Sequence, residues 1–325
     1  MSWLKTRVIP KNREFVESLL TKMGLSINDT IGIIKVCKGL SLNDSYWVVE
    51  DGFEGTFDQY NLYENRFAQT VALLAYTGYG STSIRKFTSS PEFTTNGMLK
   101  KCWRRIDGNI YLYKGGTSGA ANAGQEPYSE YYAAQIAEAM GIKHVRYDLR
   151  KWKGTLASVC ELFTSKEVSY VPMWKVVQGN QIIDIINYLK DLGDEFYNEF
   201  ADMMVFDALI YNTDRHYSNF GLLFDSHTNK PVAFAPVFDN GLSLFNFAFG
   251  DDFKNLAAYA RTKQTTLGMS FDENARIFMT DRQRAMLRRL INFRFKKHPR
   301  YNWPQDRLRA VELFIQKRVR FLLAL

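Results

Sequence analysis

The sequence has few cysteines and no motif in which they would act together. Cys37, Cys102 and Cys160 are widely spaced, form no Cys-x-x-Cys pair and have no histidine at zinc-ligand spacing. An odd number of isolated cysteines is typical of reduced thiols. The pattern therefore argues against a disulfide framework and a structural zinc site.

Long apolar runs are also missing. No stretch reaches the roughly eighteen apolar residues that a spanning helix needs, and the basic residues in 1–15 have no apolar signal-peptide segment behind them. Repeats and low-complexity tracts are absent as well. We therefore expect a soluble protein made in the cytoplasm, while export by another route stays open.

The familiar glycine-rich nucleotide motifs are absent too. The chain has no Gly-x-Gly-x-x-Gly, and its run of small residues at 115–119 lacks the Lys-Ser/Thr ending of a P-loop. We interpret this run as a flexible connection.

The composition is that of a soluble globular protein, with 46% hydrophobic and 23% charged residues and a net charge of +8. Much of the positive charge lies near the C-terminus, in Arg282, Arg284, Arg288, Arg289, Arg294, Lys296, Lys297 and Arg300. Such a face suits an acidic partner, nucleic acid or an anionic membrane. A plain solvated helix surface explains it equally well.

The most informative stretch is Asn-Thr-Asp-Arg-His-Tyr-Ser-Asn, residues 212–219, which is followed by Asp-Asn-Gly at 239–241. Phosphoryl transfer requires a carboxylate that orients the attacking hydroxyl and oxygen ligands that hold Mg²⁺. Asp214, Asn219 and Asp239 have the order and spacing of these groups in kinases. Each piece alone would more often be an ordinary turn, but together they predict a phosphotransfer centre.

The surrounding pattern supports this interpretation. Residues 196–211 have the apolar pattern of a buried helix, and residues 220–224 and 232–238 predict two strands of a hairpin that ends at Asp239. A loop followed by such a hairpin would bring Asp214 and Asp239 together.

Upstream, residues 98–105 and 109–114 predict a second hairpin with an Asp-Gly turn at Asp107 and Gly108. Lys114 on its second strand is the candidate phosphate-binding lysine. The helix that opens near Pro127 and ends at Gly141 carries Glu130, a candidate partner for that lysine. A solvated strand end and a first-turn acid are the alternative for this pair.

Residues 158–164 predict a strand that runs into a linker between two lobes. Glu161 and Phe163 are candidates for contact with a nucleotide base there, although a plain linker would have the same pattern. Residues 281–297 and 305–323 predict two long C-terminal helices, the first capped by Thr280.

With these motifs, the chain resembles the HipA-type serine/threonine kinases, most closely the stand-alone cell-translocating kinase A subgroup. The resemblance rests on residues 212–219, on Phe-Asp-Asn-Gly at 238–241 and on Ser-Glu-Tyr-Tyr at 129–132. It implies an α+β, two-lobed, protein-kinase-like fold with a small β-rich N-lobe and a larger, mainly helical C-lobe. We expect an N-terminal extension over 1–80, the N-lobe over 81–163 and the C-lobe over 164–325.

The resemblance also implies roles for individual residues. Asp214 is the catalytic base, His216 contacts phosphate, and Asn219 and Asp239 hold Mg²⁺. ATP is further bound by Lys114 at the phosphates and by Glu161 and Phe163 at the adenine. A phosphate loop is implied at Thr95, Asn96, Gly97 and Met98, although the usual Gly-Ala-Gln core of that loop is missing.

The predicted function is an ATP- and Mg²⁺-dependent, autophosphorylating protein serine/threonine kinase. The family phosphorylates a serine near the phosphate loop, where the chain offers Ser81, Thr82, Ser83, Ser89, Ser90, Thr94 and Thr95. A lipid or small-molecule kinase is one alternative. The other is a nucleotide-binding module that holds nucleic acid or a protein through its basic face. HipA toxins pair with a DNA-binding antitoxin, and the shorter N-terminal region here leaves that partnership open.

Overall fold

The computed structural model describes residues 2–80, 90–179 and 181–325. The strands are β1 (Lys101–Ile106), β2 (Asn109–Gly115), β3 (Asp148–Trp152), β4 (Thr155–Glu161), β5 (Val168–Pro172), β6 (Gly221–Asp225) and β7 (Pro231–Phe234). They form one sheet with the order β1-β2-β4-β3 and another with the order β5-β6-β7.

Helices contain many more of the described residues than strands do. They are α1 (Ser2–Lys5), α2 (Val16–Thr21), α3 (Thr30–Cys37), α4 (Phe57–Tyr60), α5 (Gln69–Thr77), α6 (Glu126–Met140), α7 (Met173–Val176), α8 (Ile182–Leu192), α9 (Asp194–Ile210), α10 (Leu256–Ala260), α11 (Phe271–Phe278), α12 (Asp281–Arg288) and α13 (Gln305–Ala324). Short 3₁₀ turns occur at Pro91–Phe93 and Gly250–Asn255. No helix in the described ranges is both long and apolar enough to cross a membrane.

The chain divides into two compact units. The first comprises Met1–Gly116, Arg150–Tyr170 and Phe224–Pro231, and the second comprises Thr117–Leu149, Val171–Leu223 and Val232–Leu325. The lobe boundaries expected from the sequence remain a proposal.

The first unit has its core on the predicted β1–β2 hairpin and the N-terminal helices. Cys102 and Tyr113 face each other across the hairpin and pack against Tyr76 of α5. Asp107 and Gly108 both have positive φ, 50° and 87°, as a two-residue hairpin turn requires. The predicted Asp-Gly turn is therefore confirmed.

The second unit is built around α9, whose residues from Phe200 to Ile210 are all buried. The ring of Phe200 packs against Phe220, Phe234 and Phe278 at centroid distances of 5.7, 6.3 and 5.4 Å. The predicted helix over 196–211 is confirmed. It ends where Tyr211 adopts a left-handed conformation, so the next residues leave the helix axis at once.

Two predicted elements are shorter in the structure. The strand predicted over 232–238 ends at Phe234, because Val237 turns to pair with the segment before β3 through Lys143 and Val145. The helix predicted over 281–297 ends at Arg288. Its apolar pattern continues beyond that point, but Phe295 donates its backbone N–H to Glu312 of α13 instead of to a helical carbonyl.

Four of the eight cations in the basic C-terminal cluster bind within the chain. Arg282 binds Asp202, Arg294 binds Glu312, and Arg284 and Arg289 donate to backbone carbonyls. The other four cations of the cluster are exposed. Half of the predicted anion-binding face therefore holds helices together.

Glu92 is a buried acid in the first unit, and it should make the stability of the protein depend on pH. Burial raises the pKa of Glu92, against hydrogen bonds from Ser90 and the Trp103 N–H and the charge of Arg13. Because the folded pKa lies above the unfolded one, this contribution to stability is complete below the unfolded pKa and is lost as pH rises through the folded pKa.

We expect the unfolding free energy of wild type, relative to Glu92→Gln, to fall as pH rises above the ordinary glutamate pKa of 4.5, because burial raises the pKa of Glu92 in the folded protein. Urea unfolding at several pH values measures it. The exposed Glu54→Gln is the control and should stay parallel to wild type. A pH-independent difference between wild type and Glu92→Gln would contradict the assignment.

Candidate active site

The candidate site in the second unit is organised by Arg215, a residue of the 212–219 motif. Its side chain is only 2% exposed. Nε and Nη2 bind the two carboxylate oxygens of Asp207 at 2.8 and 3.0 Å. Burial alone would lower the pKa of Arg215, but the charge and hydrogen bonds of Asp207 raise it, with help from Asp239 and Glu130. The guanidinium is thus a permanently charged, bidentate partner of the helix that precedes the loop.

The same guanidinium binds both halves of the predicted centre. Nη1 donates to the carbonyl of Asn219 at 2.9 Å and to that of Phe238 at 2.6 Å, and Nη2 donates to Oδ1 of Asn240 at 2.6 Å. Asn219 ends the loop that contains Asp214, and Phe238 and Asn240 flank Asp239. One buried side chain therefore brings the two predicted carboxylates into one neighbourhood.

The loop itself is held by short-range hydrogen bonds. Asn212 caps the end of α9 by donating Nδ2 to Asp207 and accepts the N–H of Asp214 on Oδ1, both at 3.1 Å. Asn219 donates its Nδ2 to the carbonyl of Asp214 at 2.9 Å. This bond fixes the orientation of the Asn219 amide and leaves its oxygen for another partner.

His216 is exposed, and its Nδ1 accepts the backbone N–H of Ser218 at 3.2 Å. An Nδ1 that accepts a hydrogen bond places the proton of the neutral ring on Nε2. In this tautomer Nε2 of His216 is a hydrogen-bond donor.

Helix α6 fixes the turn that carries Asp239. Glu130 is fully buried and accepts the N–H of Asn240 at 2.8 Å. Ser129 donates to the carbonyl of Ser243 at 3.1 Å, and Ser243 in turn donates to the carbonyl of Asn240 at 2.7 Å. Asp239 itself has a left-handed φ of 57°, a conformation that aspartate adopts more readily than most residues with a side chain. The tertiary bonds around it maintain this conformation.

The donor set suits magnesium. Mg²⁺ takes oxygen ligands and usually keeps water and substrate phosphates in its shell beside one or two protein carboxylates. The Asn219 amide oxygen and the Asp239 carboxylate are such ligands. Within the described ranges no three His, Cys, Asp or Glu side chains group as a metal site.

The remaining predicted residues lie in the first unit. Lys114 is half-buried on β2, where it pairs with Lys101 on β1. Nζ of Lys101 donates to the carbonyl of Asn96 at 2.7 Å. The predicted phosphate loop, Thr95 to Met98, therefore lies at the end of the hairpin that carries Lys114.

The predicted base-binding residues lie at the end of β4. Glu161 is exposed and lines an open groove of about 380 Å³, together with Arg105, Ile110 and Lys166. Phe163 packs edge-on against Tyr170 at a centroid distance of 5.7 Å. This groove belongs wholly to the first unit and contains none of the carboxylates of the phosphotransfer motif, so it does not itself identify the site.

Several contributors escaped the sequence analysis, above all Arg215 and Asp207. Arg215 was considered only as part of a turn. A signal was present, because Asp207 is an acid within an apolar helix, eight residues before Arg215, and a buried acid needs a partner.

Comparison with known proteins identifies the family. The profile of the HipA-like C-terminal domain matches residues 79–293, more than half of the chain. The chain belongs to this family. The HipA-like resemblance predicted from the sequence is thereby confirmed.

Related proteins and structures agree with this assignment. The HipA-like chain is 31% identical over 134 residues to serine/threonine-protein kinase CtkA from Helicobacter pylori, in a match that covers 36% of this chain but only 40% of that kinase. Its fold resembles the crystal structure of the H. pylori proinflammatory kinase CtkA, with a TM-score of 0.52 and 17% identity over 71% of this chain and 92% of the other.

The fold also resembles HipA of Shewanella oneidensis, from a complex of HipA, HipB and operator DNA. The TM-score is 0.50 and the identity 13%, over 98% of this chain and 86% of the other. Likeness at such identities shows the fold alone. The predicted α+β, kinase-like fold of this HipA-like chain is confirmed.

We expect Asp207→Asn to destabilise the protein by about 3–5 kcal/mol, because it leaves the buried charge of Arg215 without its partner. The unfolding free energy in urea measures this loss. Asp202→Asn is the matched control, since Asp202 lies buried on the same helix but its partner Arg282 is 52% exposed. Equal losses in the two variants would show that Arg215 has no special role.

Proposed function

We propose that this HipA-like chain is an ATP- and Mg²⁺-dependent protein serine/threonine kinase. The observation that carries the proposal is the Arg215 network, which joins the loop of Asp214 and Asn219 to the turn of Asp239. Family membership and the 31% identity to a serine/threonine kinase over 134 residues support it.

In this mechanism, Asp214 orients a serine or threonine hydroxyl and accepts its proton as the hydroxyl oxygen bonds to the γ-phosphorus. The bond between that phosphorus and the oxygen that leaves with ADP breaks in the same transfer. Asn219 and Asp239 hold Mg²⁺, which neutralises charge on the phosphates when it is bound. His216 and Lys114 contact the phosphates, and Glu161 and Phe163 contact the adenine.

The phosphate loop that the HipA-type resemblance implies is assigned to residues 95–98. The backbone N–H groups of Asn96 and Met98 donate to no other described residue, and Gly97 between them has a left-handed φ of 94°. Successive amides around such a residue form a concave anion site. Residues 95–98 are therefore proposed to bind the nucleotide phosphates.

Asp214→Ala should lower phosphate transfer from γ-labelled ATP by about 10²–10⁴-fold, the usual contribution of a general base. Asp239→Asn should also abolish transfer, because it removes the charged Mg²⁺ ligand. The control is Asp191→Asn, an exposed acid at the end of α8. Transfer that survives both substitutions would reject this assignment.

The molecule that receives the labelled phosphate distinguishes a protein kinase from a lipid kinase. Label on the protein or on an added polypeptide supports a protein kinase, and label only on phosphoinositide in vesicles would instead support the lipid-kinase alternative. The binding-module alternative predicts ATP binding without transfer, and strongly salt-dependent binding to DNA would support its nucleic-acid form.

We further infer that the chain phosphorylates itself on residues before 90. Ser90 and Thr94 are buried, and their hydroxyls donate to Glu92 and to the carbonyl of Leu40. A phosphate on Ser90 would also bring a charged group into the core beside Glu92. Ser81, Thr82, Ser83 and Ser89 lie outside the described residues.

Peptide mapping after incubation with ATP should therefore find phosphate on Ser81, Thr82, Ser83 or Ser89 and none on Ser90 or Thr94. Phosphate found mainly on Ser90 in folded protein would contradict the expectation.

A further inference from the structure

The N-terminal region contributes a buried arginine to the predicted phosphate loop. Arg13 lies far outside residues 79–293, which match the family, whereas residues 95–98 lie within them. The side chain of Arg13 is 3% exposed, and its contacts with the loop span more than eighty residues of sequence. The family-matched domain is thus joined here by a side chain that the family profile does not include.

The guanidinium of Arg13 holds three carbonyl groups along the loop. Nη1 donates to the carbonyls of Thr95 at 3.0 Å and Gly97 at 3.4 Å, and Nη2 donates to that of Lys101 at 3.1 Å. A fork of this kind fixes the direction in which alternate peptide groups point.

That direction determines where the loop amides point. In a trans peptide the C=O of one residue and the N–H of the next are directed oppositely. When Arg13 holds the carbonyls of Thr95 and Gly97, the N–H groups of Asn96 and Met98 are turned away from it. Both residues are exposed, and neither amide donates to another described residue. The loop thus presents two aligned donors on the side away from Arg13.

The neighbouring residue adds a second anchor. The N–H of Glu14 donates to the carbonyl of Met98 at 2.8 Å, and its carboxylate accepts from the backbone N–H of Lys100 at 3.2 Å and from the Lys100 ammonium at 3.3 Å. Arg13 and Glu14 together therefore hold the loop at both its centre and its end.

The positive charge of Arg13 also favours an anionic ligand such as nucleotide phosphate at the loop. Burial lowers the pKa of Arg13 to about 10, partly offset by the charge of Glu92. The guanidinium thus remains protonated at neutral pH. It places a positive charge behind a loop whose N–H groups face outward, and this charge favours an anion there.

We propose that Arg13 is a positioning residue for nucleotide phosphate, which acts by orienting the amides of residues 96–98 and does not touch the nucleotide. The proposal rests on the proposed function. It makes the N-terminal region part of the nucleotide site, beyond the domain that defines the family.

The test compares Arg13→Lys with Arg7→Lys. Arg7 is also buried in the N-terminal region, at 2% exposure, and its guanidinium binds Asp44 and the carbonyls of Gly39 and Tyr46 but not the loop. Lysine keeps the charge in both variants and loses the fork. Urea unfolding shows whether the two substitutions cost similar stability.

The functional readouts are the Kd for ATP with Mg²⁺, by calorimetry, and the protection of amides 95–101 from hydrogen exchange when ATP is added. We expect Arg13→Lys to weaken ATP binding by about tenfold, the size of one lost charge-assisted contact. It should also lose the ATP-induced protection. Arg7→Lys should stay within about twofold of wild type and keep the protection.

Equal responses of Arg7→Lys and Arg13→Lys, or an unchanged Kd in Arg13→Lys, would overturn the role of Arg13 and leave the proposed function standing. Wild-type protein that binds no ATP would overturn both. If Arg13→Lys fails to fold, Glu14→Gln, which removes the half-buried ion pair with Lys100, replaces it. In Glu14→Gln, a smaller loss of ATP affinity than the tenfold expected for Arg13→Lys would support the proposal. An unchanged ATP affinity in Glu14→Gln would overturn it.

Discussion

The buried guanidinium of Arg215 is the constraint on which the second unit depends. A charge with 2% exposure has lost its water, and such burial is stable only when the charge is paired and its donors are bonded. Asp207 supplies the charge, and carbonyl and amide oxygens from two further segments supply the remaining acceptors. These segments are the loop of Asn219 and the turn of Phe238 and Asn240, which the proposed chemistry requires to be adjacent. The contacts that stabilise the buried arginine are therefore the same contacts that assemble the proposed site.

The predicted phosphate loop of the first unit follows a similar principle. Arg13 binds backbone carbonyls there, as Arg215 does in the second unit, and thereby fixes the loop from behind. In both cases the arginine takes no part in the proposed chemistry and determines the direction of groups that do. If a carbonyl bound by a buried guanidinium rotated away, an N–H group of that guanidinium would lose its acceptor, which is costly in a buried position.

The apolar period of 196–211 follows from burial, so the buried helix before the loop was predictable from the sequence. The order and spacing of Asp214, Asn219 and Asp239 could be seen there too, and the roles assigned to these residues are a proposal. Arg215 was overlooked because its role depends on residues up to 25 positions away, and Arg13 because its partners lie more than eighty positions away. Periodicity reports neighbours on one element, whereas these contacts join different elements.

The predicted helix over 281–297 failed for a related reason. Its apolar residues continue past Arg288, but Phe295 is buried beside Glu312 in a non-helical conformation. Tertiary packing here overrides a local preference for helix. The basic residues of that stretch had two interpretations, a docking face or a solvated helix surface, and Arg282, Arg284, Arg289 and Arg294 also bind within the chain.

The most direct test is a crystal structure of the protein with Mg²⁺ and a non-hydrolysable ATP analogue. The account predicts a magnesium ion bound by Oδ1 of Asn219 and the carboxylate of Asp239, with the γ-phosphate near Asp214. A γ-phosphate bound away from Asp214, or a metal that avoids both ligands, would contradict it.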